Sequence, residues 1–162
     1  MDEEDQIRDV YAHFGLAVYL AQVLEHGIVN AMVAGRLPYR DGVTRSDIDA
    51  FMGDQFEKPL GRLIAALGGN TAVPDALSSK LREALKKRNW LAHHYFRERA
   101  VEFMNESGRS TMIDELKLAQ ALFQEVDATL SAVVRPIEER YGITKDKLAE
   151  YERRLLARET DG

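Results

Sequence analysis

The feature that most constrains this chain is the return of apolar residues every three or four positions along nearly its whole length. Between residues 4 and 34, Ile7, Val10, Tyr11, Phe14, Ala17, Val18, Ala21, Ile28 and Met32 keep that spacing, which lines them along one side of an α-helix. Leu16, Leu20 and Val23 lie off the stripe. The helix is therefore apolar on more than one side, as expected of a central helix or one at a subunit interface. Residues 110–140 repeat the pattern with Met112, Leu116, Ala119, Phe123, Val126, Leu130, Val133 and Ile137, and Pro136 is expected to bend the last turns. No stretch of any length alternates apolar and polar residues as a half-buried strand does, and no segment repeats another.

The breaks between helices are marked by glycine and proline. "AGRLPYRDGVT" (34–44) carries two glycines and a proline and ends the first helix. Ser46 followed by Asp49 suits a short capped helix at 47–52. A further helix at about 57–67 is closed by Gly68–Gly69, and Pro74 opens a long one that is expected to reach about Met104 and stop in "NESG". "YGIT" then sets off a charged last helix, 145–158, with Leu148, Tyr151 and Leu155 as its thin apolar seam. The fold expected is all-α: an up-and-down helical bundle of four to five main helices plus a short extra helix and a charged C-terminal helix. The bundle occupies 1–143, and the C-terminal helix and tail 144–162.

A chain of 162 residues is long enough to bury a core as one domain. It has no cysteine, which excludes disulfides, zinc–thiolate sites and thiol nucleophiles. The opening "MDEEDQIRDV" is acidic, the opposite of a signal peptide's basic start. No apolar run approaches the roughly 18–20 residues of a membrane span. The expectation is a cytoplasmic protein that does not engage a membrane. Net charge is −5, but it is unevenly spread. From Lys80 to Arg99 there are seven cations and two anions, so this island carries +5 and the remainder −10. A basic island of that kind is a local field able to draw an anionic partner, or else a solvated helix face.

The island surrounds "KKRNWLAHHYF" (86–96), which holds two of the four histidines and the single tryptophan. On a helical wheel, with about 100° per residue, Arg88 falls within the stripe made by Leu77, Leu81, Ala84, Leu85, Leu91, Ala92, Tyr95 and Phe96. A guanidinium cannot shed its proton, so a core-facing arginine needs carboxylates, carbonyls or a ligand phosphate. Glu25 lies on the apolar stripe of the first helix, and a buried Glu25–Arg88 pair is expected, worth about 3–5 kcal/mol on loss of one partner. It could serve packing alone. Trp90 projects to the far side, which is more natural at a second interface than in solvent. His93 and His94 point about 100° apart and make a poor metal pair. His13 and His26 are isolated and are assigned no ligand role. No Ser–His–Asp set, zinc pattern or phosphate loop is present, and "GRLIAALGG" lacks the Lys–Ser/Thr of a P-loop. Neither a metal nor a cofactor is expected.

The run Arg88–Asn89–x–x–x–His93–x–Tyr95 resembles the R-[N/D/H]-x(3–5)-H signature of the HEPN superfamily. Its H-x-Y ending is similar to the bacterial toxins paired with minimal nucleotidyltransferase antitoxins. The resemblance covers about ten residues closely and is compatible with helices 4–34 and 57–140. The insertion at 35–54 and the tail beyond 141 have no counterpart in it. It implies a bundle that forms a homodimer, bringing two motifs into one cleft, and a metal-independent endoribonuclease, in some members a toxin neutralised by an antitoxin or other protein partner. Other members have lost cleavage and bind RNA, a nucleotide or a protein. The roles implied are a proton shuttle for His93, a phosphate clamp for Arg88 and orientation of His93 by Asn89, four residues away on one helix face. Tyr95 is the position an antitoxin would modify, or a plain core tyrosine. Glu25 would support the site, and Lys86, Lys87, His94 and Arg97 would contact RNA. Arg88 and His93 stand about 140° apart on a straight helix, so a shared phosphate requires a distorted helix or residues from two subunits. The alternatives to a nuclease are a non-catalytic helical module and a regulatory or structural helical oligomer.

Overall fold

The computed structural model describes residues 2–36 and 74–140, with the single positions 50, 62, 142, 146, 149, 150 and 153. The short helices expected at 47–52 and 57–67 and the charged helix expected at 145–158 lie outside the described residues apart from those positions. Among the described residues five helices follow one another: α1 (Glu3–Arg36), α2 (Asp75–His93), α3 (Tyr95–Glu98), α4 (Ala100–Phe103) and α5 (Glu106–Arg140). Among the described residues there is no strand, and the fold is an all-α helical bundle. No helix among them is long and apolar enough to cross a membrane.

The cross-helix contacts give the directions. Arg109 meets Glu3 and Gln6, Gln120 meets His13, and Asp127 lies against Gly27. The two numbers rise together, so α1 and α5 run parallel. Tyr95 meets Met112 while Lys80 meets Glu125, and Tyr95 stacks on Phe14 while Arg88 meets Glu25. Helix α2 is therefore antiparallel to both, and the three long helices go up, down and up.

One core joins them. Val10, Ala17, Leu24 and Ile28 of α1 are buried with Leu77, Leu81, Ala84 and Leu91 of α2 and with Met112, Leu116, Phe123, Val126 and Leu130 of α5. Burying a side chain of this size contributes roughly 1.5–3 kcal/mol, and the three-and-four spacing is what gathers so many on facing sides. Leu16 and Tyr19 of the first helix remain exposed, so α1 does carry apolar residues outside its core stripe; Tyr11, expected on that stripe, is also 53% exposed. Gly27 lies where α1 faces α5: a Cβ there would stand 2.7 Å from Asp127 Oδ1, which would have to turn aside.

The single helix expected from Pro74 to about Met104 is interrupted twice. His94 (φ −130°, ψ −24°) and Arg99 (φ −105°, ψ 18°) leave helical geometry and divide it into α2, α3 and α4. Tyr95 keeps its place on the apolar stripe and is 1% exposed, while Phe96, just past the first break, packs on Phe14 and Tyr11. The last long helix begins earlier than its apolar pattern, at Glu106. Asn105 caps it, its Oδ1 accepting from the Gly108 N–H at 2.8 Å. Gly108 is required there because a Cβ would lie 2.2 Å from the Glu102 carbonyl oxygen. Helix α5 passes through Pro136 without interruption.

Among the described residues the buried guanidinium is that of Arg109, which the apolar pattern does not single out. Its side chain is 5% exposed. It donates to Gln6 Oε1 at 3.0 Å, Glu3 Oε1 at 3.2 Å and the Phe103 carbonyl at 3.1 Å. These bonds tie the start of α1 to the α4–α5 junction and satisfy a charge that would otherwise be costly to bury.

Candidate functional site

Helices α1 and α2 leave an open cleft of about 260 Å³ between them. Val18, Ala21 and Gln22 form its α1 side; Arg88, Leu91, Ala92 and His93 form its α2 side. The two residues with the strongest chemical case thus share one cleft within one chain. His93 is the last residue of α2, and Arg88 has a long, flexible stem, so both line the cleft although a wheel sets them about 140° apart.

Arg88 Nη2 lies 3.1 Å from Glu25 Oε1, so the expected pair forms. It is not buried, however. The side chains are 36% and 22% exposed, because the pair sits at the cleft mouth rather than between the packed faces. An ion pair this open to solvent contributes about 1 kcal/mol or less, well short of the buried value.

Asn89 does not orient His93. Its Oδ1 accepts from Arg88 Nη1 at 3.1 Å, so the amide steadies the guanidinium instead. Among the described residues no side chain hydrogen-bonds the His93 ring. It lies beside His94 with ring centroids 6.2 Å apart, and both histidines are exposed. Lys86 and Arg97 are also exposed, while Lys87 is half-buried.

Tyr95 stands apart from this cleft. Its hydroxyl donates to the Met112 carbonyl at 3.1 Å inside the core. Burial pushes the phenol well above its ordinary value, helped by the Glu115 charge and opposed by Arg99. As folded here, this hydroxyl is enclosed and does not meet the requirement of a modification site. The placement matches a core tyrosine.

Trp90 is also placed differently from its wheel position. It is half-buried, its ring edge-on to Tyr95 at 4.9 Å between centroids. Its Nε1 donates to Glu98 Oε2 at 2.8 Å. Lys87 Nζ lies 4.7 Å and Arg99 Cζ 5.3 Å from the ring centroid, within cation–π range. The breaks after α2 fold α3 and Arg99 over a ring that a straight helix would have left bare, so no second subunit is needed to cover it.

Arg99 in turn holds Glu115 with two hydrogen bonds, 2.8 and 2.6 Å. That pairing keeps the Glu115 carboxyl below its ordinary range, against a smaller opposing effect of burial. Of the island's seven cations, Arg99, Lys87, Arg88 and Lys80 are thus engaged within the chain, Arg88 by Glu25 and Lys80 by Glu125. The field the sequence predicts is partly spent on structure. Among the described residues no group of three or more His, Asp or Glu is arranged to hold a metal ion.

No protein-family model, curated protein or solved structure matches the chain.

Proposed function

We propose that this chain is a HEPN-like, metal-independent endoribonuclease that cleaves RNA through its own 2′-hydroxyl. The observation that carries the reading is that Arg88 and His93 line the same open cleft. RNA brings its nucleophile with it, so the protein has to supply a proton shuttle and a cation for the phosphate. An exposed imidazole can accept the 2′-hydroxyl proton or return one to the leaving 5′-oxygen. A guanidinium steadied by Asn89 can donate two hydrogen bonds to the phosphate as charge develops on it. Exposed Lys86, His94 and Arg97, close in sequence to the cleft residues, would hold the strand. A homodimer would set two such clefts together, and a protein partner that covers the cleft would silence it, the toxin arrangement.

The test is cleavage of mixed RNA by the purified chain in excess EDTA beside Arg88→Ala and His93→Ala. Loss of a positioned acid–base group lowers the rate by roughly 10²–10⁴-fold, and both variants are expected to fall in that range. Undiminished cleavage in either one removes that residue from the mechanism.

One observation favours a second reading, a non-catalytic module that binds RNA, a nucleotide or a protein in the same cleft. His93 has no hydrogen-bonding side-chain partner among the described residues to fix its ring, whereas catalytic histidines are commonly oriented by a third group. A well-folded chain that binds RNA without cutting it would establish this alternative.

A further inference from the structure

Glu25 occupies one of the two terminal nitrogens through which Arg88 could hold an anionic ligand. Its carboxylate takes Nη2 of the guanidinium at 3.1 Å, while Nη1 is taken by the neutral Asn89 carbonyl at 3.1 Å. The two partners act differently on an incoming phosphate. Asn89 carries no charge and can keep its bond while the other N–H groups turn to a ligand. Glu25 neutralises the cation and repels any second anion brought to the same nitrogen.

We infer that Glu25 is an exchangeable counter-ion that gates the cleft: it holds Arg88 in the empty site, and a phosphodiester must displace it to bind. This deepens the proposed function and rests on its assignment of Arg88 to the phosphate. The pair is suited to exchange because water reaches both partners, Arg88 being 36% and Glu25 22% exposed. Water solvates the departing carboxylate, which a buried pair would not allow. Glu25 also lies one helical turn beyond Ala21 and Gln22, which line the cleft, so its side chain can swing outward along the rim without disturbing the core.

The ligand class follows from the walls. Val18, Ala21, Leu91 and Ala92 make the groove apolar beside the charged end. A ribose or base can rest there while its phosphate meets Arg88, so a nucleic-acid strand gains contacts that free phosphate lacks.

The gate is tested by binding, with the full chain and a labelled all-2′-deoxy oligonucleotide, which has no 2′-hydroxyl to attack. Glu25→Gln keeps the side chain's shape and removes its charge. It is expected to bind the strand roughly three- to tenfold more tightly than the unaltered chain, about the strength of an exposed ion pair. Glu83→Gln, an exposed anion on the same helix as Arg88, measures the general effect of one lost negative charge and is expected to change little. The gain is expected to vanish in Glu25→Gln/Arg88→Ala. Inorganic phosphate is the competitor and should displace the strand from Glu25→Gln at lower concentration than a neutral-salt control. Glu25→Ala is the second variant, with circular dichroism reporting that each one folds.

Equal or weaker binding by both Glu25 variants overturns the gate and makes Glu25 a residue that orients Arg88. An equal gain in Glu83→Gln, or a gain that survives without Arg88, also overturns it. Because no cleavage is measured, an inactive chain whose Glu25 variants bind more tightly refutes the nuclease and leaves the gate standing.

Discussion

The Tyr95 hydroxyl donates to the main-chain carbonyl of Met112 at 3.1 Å, across the interface between α3 and α5. That bond closes the core just past the break at His94 and so fixes the helix end that presents His93. Tyr95→Phe removes it and is expected to cost about 1 kcal/mol in chemical denaturation. The pH dependence has a definite sign. The folded phenol titrates above its ordinary value of 10.0 because it is buried. The unfolded chain therefore loses its proton first as pH rises through 10, and stability falls from there upward. Tyr95→Phe is expected to flatten that alkaline decline.

Arg109 and Glu3 give a test of burial within a single ion pair. The guanidinium is 5% exposed and the carboxylate 67%. Arg109→Met strands Gln6 Oε1 and the Phe103 carbonyl and is expected to cost about 2–4 kcal/mol. Glu3→Gln is expected to cost under about 1 kcal/mol. Urea midpoints of the two variants measure the contrast.

Two glycines should respond oppositely to alanine. At Gly108 the new Cβ would stand 2.2 Å from the Glu102 carbonyl oxygen. Main chain has to move, so a loss above about 2 kcal/mol is expected. At Gly15, exposed within α1, a Cβ meets nothing within 4 Å. Alanine there is expected to stabilise by about 0.5–1 kcal/mol. Thermal unfolding of both single variants decides the pair.

The two carboxylates Glu115 and Asp127 carry opposite pH signatures. Arg99 holds Glu115 below its ordinary range, so its stabilisation is present at neutral pH and lost as pH falls through the folded value. Burial raises Asp127 instead. Its charged form weakens the fold at neutral pH, and protonation relieves that in acid. Asp127→Asn is expected to raise Tm at pH 7, with the gain closing on acidification below pH 4. Glu115→Gln is expected to lower Tm at pH 7 and to converge on the unaltered chain in acid. Melting curves across that range test both.

The long helices are legible in the sequence because one physical cause, burial of a stripe, leaves a regular trace at Val10, Ala17, Met112, Leu116 and Phe123. The breaks at His94 and Arg99 leave no such trace. Neither residue is glycine or proline, and what lies just past the first break is Phe96 packed on Phe14 and Tyr11. From that departure follows the covering of Trp90 by Arg99. Helical periodicity also identifies Glu25 as a partner of Arg88 but overstates its burial, since a wheel has no information on where a groove opens. Arg109 escapes notice for a related reason: its partners Gln6 and Glu3 lie a hundred residues away. The Asn105 cap, by contrast, was open to reading, as an Asn just before a helical run is a common start signal.

The central claim is that the Arg88–His93 cleft cuts RNA by attack of the adjacent 2′-hydroxyl. The most direct measurement is end-group analysis by mass spectrometry, in excess EDTA, on an RNA cleaved at a mapped site and on the same RNA with a single 2′-deoxy nucleotide just 5′ of that bond. The account predicts 2′,3′-cyclic phosphate and 5′-hydroxyl ends from the first, and no cut at that bond in the second. An intact RNA after incubation with folded protein, or a cut that persists at the deoxy position, would contradict it.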